Sequence, residues 1–332
     1  MLRIFIFCLS VLLAAAPALA EPIKIGVVGV SAFAPAFVAQ ERGYFAAEGV
    51  PAELVYFDAA APIAVATVSG DVDFGVTAVT AAFYNLAGKG ELKIIAAAAH
   101  EAPGFHLQAF LVSRQAFEGG LKTLKNLPGH SFAVTGQGGP PVYVVGGVIA
   151  PKYGFSLDKL RIVPLQTISN ITSAIGGGTA DFTLSSLTPA VQPLIQRGDI
   201  HLIAWAGDEA PWQFGLAFTA TKTADTRRNT VERFLRAYRK GAHDYHDAIA
   251  TPSGKPRSGP AADAMIAILA KYTKQPVEQV KLGVPYVDAE ARVDVKDIAN
   301  QVKFYKSRNL VKAEVEAEPI VDKRYVIALP EK

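Results

Sequence analysis

The apolar and polar positions of residues 62–98 spell out a helix, a strand, a second helix and a second strand. Residues 63–69 form an apolar stretch closed by Gly70, as a helix with a glycine stop would. Residues 72–76 are a short apolar run holding the pair Asp73-Phe74, which predicts a buried strand. Thr77 stands where a helix N-cap belongs, with helical spacing to Leu86, and 92–98 reads as another buried strand.

The same pattern recurs at 171–206 with a constant offset of 108 (171 − 63) and no gap. Ile63 falls on Ile171, Gly70 on Gly178, Asp73-Phe74 on Asp181-Phe182, Thr77 on Ser185 and Gly90 on Gly198. The offset also lays 23–28 on 131–136 and 53–57 on 161–165. Any two α/β units share a coarse resemblance, but an ungapped match of Gly, Asp-Phe, hydroxyl and Gly argues for two equal βαβαβ halves. In such sheets ligands sit beyond the carboxyl ends of the strands, where helix N-termini point. Two facing halves therefore predict one ligand held in a cleft between two lobes.

The remaining pattern fits an α/β core. Residues 23–29 are apolar apart from Lys24, without sustained alternation, as expected of a strand buried on both faces of a parallel sheet. Pro35 opens a helix. Further strands are expected at 106–113, 131–135, 201–206 and 214–219, and a helix after Pro140-Pro141 running to Tyr153. From Thr226 the chain turns mostly helical, with Val231, Phe234, Leu235 and Tyr238 at helical spacing. A discontinuous first lobe (21–112 plus 208–332) and a second lobe (113–207) follow. Their two-strand hinge is expected near 112–115 and 207–211.

The first 20 residues stand apart. A positive Arg3, an apolar run over 4–16 and a small-x-small Ala18-Leu19-Ala20 read as a secretory signal cleaved after Ala20. A membrane anchor would need a longer run. The one cysteine, Cys8, leaves with the signal, so the mature chain can form no disulfide. The remaining roughly 310 residues can bury ample apolar surface without one. Removing Arg3 lowers the formal charge from +3 to +2, too little to argue for nucleic acid or an anionic membrane.

The strand IKIGVVG, then GYFAAEGV, ELVYF, GDVDFGV and LKIIAAA, behind a signal peptide, resemble periplasmic substrate-binding proteins of ABC importers. The group is the SsuA-like one, which handles alkanesulfonates, taurine, nitrate, aromatic acids and thiamine-precursor pyrimidines, and includes the fungal thiamine-pyrimidine synthase. The resemblance runs over about 23–302. It implies a type II, two-lobe binding-protein fold, each lobe a mostly parallel sheet flanked by helices. It also implies a periplasmic location and an inner-membrane permease with its ATPase as partner. No cofactor, metal or nucleic acid is expected, and a monomer is. The synthase depends on a cysteine-rich motif, which a mature chain without cysteine cannot carry. The alternative function, an enzyme acting on a pyrimidine, is weakened accordingly.

The repeat and the resemblance point to the same loops. They hold Ser31 and Phe33, Thr77 and Thr80, Gly136, Gln137, Gly138 and Gly139, and Ser185 and Ser186; Trp205 and Trp212 flank the return crossing. These loops carry no charged side chain. Their hydroxyls can meet a ligand or simply cap helices. The glycine loop can lend main-chain N–H groups to a carboxylate, sulfonate or nitro group, or be a tight turn. Aromatics nearby can stack on a flat ligand or pack the core. His243 and His246 are spaced as a metal pair without an evident third ligand. Asp73 and Asp181, repeated symmetrically, suit a structural role at a strand start. The expected function is capture of a small organic ligand: a sulfonate, an aromatic carboxylate or a pyrimidine-like compound.

Overall fold

The computed structural model describes residues 21–188, 190–251 and 254–330. The signal-peptide reading and its cleavage site lie outside the described residues. Among the described residues no helix is long and apolar enough to cross a membrane.

Among the described residues, twelve strands build two five-stranded sheets and one short ladder. The first half of the chain supplies β1 (Ile23–Val27), β2 (Ala52–Tyr56), β3 (Phe74–Ala78) and β4 (Leu92–Ala97). After the short β5 (His100–Glu101) comes β6 (Gln108–Ser113). The second half supplies β7 (Ser131–Val134), β8 (Arg161–Pro164), β9 (Phe182–Ser186) and β10 (Ile200–Trp205). The chain returns through β11 (Trp212–Gln213) to β12 (Gly215–Ala220). Strand order is β2-β1-β3-β12-β4 in the first sheet and β10-β6-β9-β7-β8 in the second. In each, one strand runs against the other four: β12 in the first and β6 in the second. Two mostly parallel sheets flanked by helices are the expected fold.

The offset of 108 survives in three dimensions. β1, β3 and β4 start at 23, 74 and 92, and β7, β9 and β10 at 131, 182 and 200. Gly70 and Gly178 both sit at left-handed φ, 85° and 72°, where a side chain would strain the backbone. The aspartates also correspond. Asp73 accepts the Lys24 N–H at 2.8 Å, and Asp181 the Ser131 N–H at 2.7 Å. Each ties the start of the third strand of its half to the first, which is the structural role expected.

Two boundaries differ from the sequence reading. β6 pairs with β9 and β10, so residues 108–112 belong to the second sheet, and the first passage between sheets is 98–107. The return passage is 206–214, and the two passages pair with each other in the antiparallel ladder β5·β11. Thr77, expected as a helix cap, instead continues β3, because β12 pairs with that strand as far as Ala78. The helix Ala81–Gly88 is capped by Thr80, whose Oγ1 accepts the Phe83 N–H.

Helices close both faces of the first sheet. Phe234 of the long helix Arg228–Ile249 stacks on Phe74 with ring centroids 4.0 Å apart. The tail also closes on it: Val321 bridges to Ile94 at the β4 edge, and Tyr325 Oη donates to the Ala224 carbonyl.

Candidate ligand-binding site

The carboxyl ends of β1, β2 and β3 face those of β7, β8 and β9 across one pocket of about 690 Å³, open solvent at its mouth included. Its wall repeats the chain's own symmetry. Ala60, Thr77 and Ala78 line it from the first half, and Ile168, Ser185 and Ser186, each 108 positions later, from the second. Val28, Val30 and Phe33 contribute from the β1 loop, and Val134, Thr135, Pro140 and Pro141 from the β7 loop. Phe214 packs on Phe33, ring centroids 6.2 Å apart, and closes the floor.

Four residues expected at the site line this pocket: Phe33, Thr77, Ser185 and Ser186. The other eight lie elsewhere. Ser31 Oγ donates to the Gly283 carbonyl at 3.3 Å, and Thr80 is the helix cap already described. Trp205 stacks on His106, with centroids 4.4 Å apart and planes nearly parallel. Trp212 is buried edge-on against Phe214 at 5.4 Å and beside Tyr143 at 5.9 Å.

Gly136, Gln137, Gly138 and Gly139 form a tight turn in which the Gly139 N–H donates to the Gly136 carbonyl at 2.9 Å. Gln137 is exposed. The sequence offers this loop as an anion holder through its main-chain N–H groups. The helix behind it begins with Pro140 and Pro141, so its first two positions carry no N–H. The loop's carbonyls face the first lobe instead. Gly138 accepts from the Ala81 N–H at 3.0 Å, and Gly139 from Tyr305 Oη at 3.2 Å.

Sequence reasoning missed the loops after the second strand of each half, where Ala59, Ala60, Ile168 and Ile171 line the pocket. It also missed Gln108, the first residue of β6. Gln108 opens the otherwise apolar run QAFLV, and that lone polar residue at a strand start was the available signal. In the fold it lies opposite Ser186 and lines the pocket. Its Oε1 is buried without a hydrogen-bond partner, and so is the Thr77 hydroxyl. Buried polar atoms without partners are uncommon, and each costs about 1–3 kcal/mol until something bonds to it.

Behind this wall sits Glu101, only 1% exposed. Burial pushes its carboxyl well above the usual range; the N–H groups of Gln108 and Leu107 face it and pull weakly the other way. Neither carboxyl oxygen makes a hydrogen bond of good geometry, so burial decides the direction and favours the uncharged form. It pairs across the ladder with Trp212, whose indole N–H also lacks a partner.

No charged side chain stands among the described residues that line the pocket. The helix Ala60–Ser69 starts there without a side-chain cap, leaving main-chain N–H groups available. A helix start adds about 0.3–1 kcal/mol for an anion, up to about 2 when partly buried. Desolvating an unpaired carboxylate costs several kcal/mol. On these magnitudes the pocket favours an apolar or uncharged guest. Among the described residues no cluster of three or more His, Cys, Asp or Glu side chains is arranged to hold a metal ion.

A family model described as NMT1/THI5 like matches residues 30–254. No curated protein sequence gives a significant match. Among solved structures, the alkanesulfonate-binding protein SsuA from Xanthomonas axonopodis pv. citri, bound to MOPS, superposes with a TM-score of 0.70 at 16% identity. That match covers 91% of this chain and 98% of the other. The periplasmic aliphatic sulphonate binding protein SsuA from Escherichia coli gives 0.69 at 16% identity, covering 94% of each chain. The periplasmic nitrate-binding protein NrtA from Synechocystis PCC 6803 gives 0.68 at 13% identity, over 92% of this chain and 86% of that one. At these identities the likeness is one of fold.

Proposed function

The chain belongs to the NMT1/THI5-like family, and from that premise we propose that it is the solute-binding component of an ABC import system. In this reading the mature chain works in the periplasm as a monomer, after cleavage behind Ala20. It captures a small organic ligand between its lobes and delivers it to an inner-membrane permease with its ATPase. The candidate ligands are a sulfonate, an aromatic carboxylate or a pyrimidine-like compound.

The observation that carries the proposal is the pocket itself. Three parallel strands of each sheet end on it, the place where ligands sit in sheets of this kind. The fold-level likeness to binding proteins for sulfonates and nitrate supports the same role. We read it as a binder rather than a catalyst because the lining offers no poised nucleophile or acid–base pair. The Ser185 hydroxyl points to the neighbouring Ser186 carbonyl at 3.4 Å, and among the described residues no histidine or carboxylate lines the pocket.

A thermal-shift screen of residues 21–332 against sulfonates, aromatic carboxylates, pyrimidines and nitrate tests the proposal. A ligand at about 100 times its dissociation constant should add about 2.7 kcal/mol to stability. A shift confined to one class supports a solute-binding role and gives the ligand class. No shift with any class, or turnover of the bound compound, overturns it.

A further inference from the structure

Resting on the solute-binding reading above, we infer that the ligand is an uncharged molecule carrying a hydrogen-bond donor beside an acceptor. A carboxamide or an amino-substituted heteroarene has such an edge. The side-chain amide of Gln108 is the group that reads it.

Gln108 is 5% exposed and lines the pocket at the start of β6. Its Oε1 is buried with no partner, and no bond to its amide is found among the described residues. A primary amide offers two donors and an acceptor in one plane. Its natural complement is an edge with acceptor and donor side by side, the geometry by which glutamine reads adenine bidentately. Thr77, 2% exposed, brings a second unpartnered polar atom from the opposite sheet, and its hydroxyl can give or take a proton. Turned toward the pocket, both atoms would find their partners on a ligand filling it.

The surroundings argue against an anion. Among the described residues the lining has no cation. The helix start nearest the glycine loop presents two proline rings in place of N–H groups. The open helix start at Ala59 and Ala60 remains, and its N–H groups can also donate to a carbonyl oxygen or a ring nitrogen. The apolar walls, Val28, Val30, Phe33 and Phe214 among them, then cover a flat ring.

The test is calorimetric titration of residues 21–332 with four flat probes of similar size: benzamide, 4-aminopyrimidine, benzoate and benzenesulfonate. Wild type, Gln108→Leu and Thr77→Val are compared, each with its unliganded melting temperature. The expected result is that at least one uncharged probe binds tenfold or more tighter than both anions. Gln108→Leu should then lose at least tenfold of that affinity without a lower melting temperature, because the amide it removes has no partner in the fold. Thr77→Val should lose a smaller factor. An anion that binds as well as the uncharged probes, or Gln108→Leu with unchanged affinity, overturns this inference and leaves the solute-binding reading standing. No binding by any probe removes both.

Discussion

Substituting Gly138 by alanine tests whether the glycine loop holds the two lobes together. The Gly138 carbonyl accepts the Ala81 N–H at 3.0 Å, which joins the β7 loop of the second lobe to a helix start of the first. A Cβ on Gly138 would come within 2.8 Å of the Ala81 Cβ. Carbon atoms in contact sit about 3.5–4.0 Å apart, so the loop and the helix must separate by roughly 1 Å. Ala81 cannot retreat. Its helix is fixed by the Thr80 cap and by the buried Phe83 and Tyr84 behind it. The separation stretches the 3.0 Å bond beyond useful length.

Overpacking of this kind costs about 1–3 kcal/mol. The cost falls on the contact between lobes, not on the core of either one. The ligand sits between the lobes, so it must be repaid on binding. At about 1.4 kcal/mol per tenfold, affinity should fall by roughly 5- to 150-fold. The unliganded melting temperature should barely move. Titration with a ligand from the screen gives the affinity, and small-angle scattering gives the separation. The reasoning is refuted if affinity stays within twofold of wild type and the radius of gyration is unchanged. It is equally refuted if the melting temperature falls while affinity holds, since the contact would then belong to the core.

Three further outcomes are expected. Trp212→Ala empties a buried site between Phe214 and Tyr143 and should cost about 3–5 kcal/mol in urea unfolding; a loss below about 1 kcal/mol contradicts that packing. Burial raises the Glu101 carboxyl, so its contribution to stability is fully present below the unfolded value near 4.5 and is lost as pH rises through the folded value. Glu101→Gln should therefore melt progressively higher than wild type as pH rises above 5, and a variant that melts lower at pH 8 would show a charged, partnered carboxylate. At Asp181 burial pushes the carboxyl up, but the Ser131 N–H and hydroxyl, with His130, outweigh it and leave the group below its ordinary 3.8. Its contribution is present above that value and lost as pH falls through the lower folded one. The melting gap between wild type and Asp181→Asn should thus be widest above pH 5 and close below pH 4; a gap independent of pH refutes the assignment.

Hydrophobic pattern exposes burial but not partnership, and that divides what the sequence reveals from what it hides. β1, β3 and β7 read as strands because they are apolar on both faces, as the middle of a parallel sheet requires. The repeat was legible because each half solves the same packing problem with glycine, aspartate and a hydroxyl in the same places. β6 and β12 are equally apolar, and nothing in their composition says which sheet receives them. Thr77 and Thr80 are both plausible caps three residues apart; the choice is made by how far β12 extends along β3, a contact from more than a hundred residues away. Trp205 and Trp212 drew attention as large aromatics, yet a buried tryptophan more often packs than binds. Gln108 drew none, and its significance lies in what fails to touch it.

The exchanged strands connect the pocket to both passages between the sheets. Each half of the chain sends one strand into the other half's sheet, β6 outward and β12 back. The two passages pair in the short ladder β5·β11, of two residues each, and are tied again where the Gly104 N–H donates to Asp208 and the Phe214 N–H to the Ala99 carbonyl. Gln108 is the first residue of β6 after one passage. Thr77 sits on β3 directly against Leu216 of β12, the strand that follows the other. A change of angle at the ladder therefore moves Gln108 relative to Thr77, and the polar atoms of both are waiting for a partner. A ligand that bonds to both spans the two passages at once. It would stabilise the closed arrangement through the same bonds that recognise it, with no separate latch.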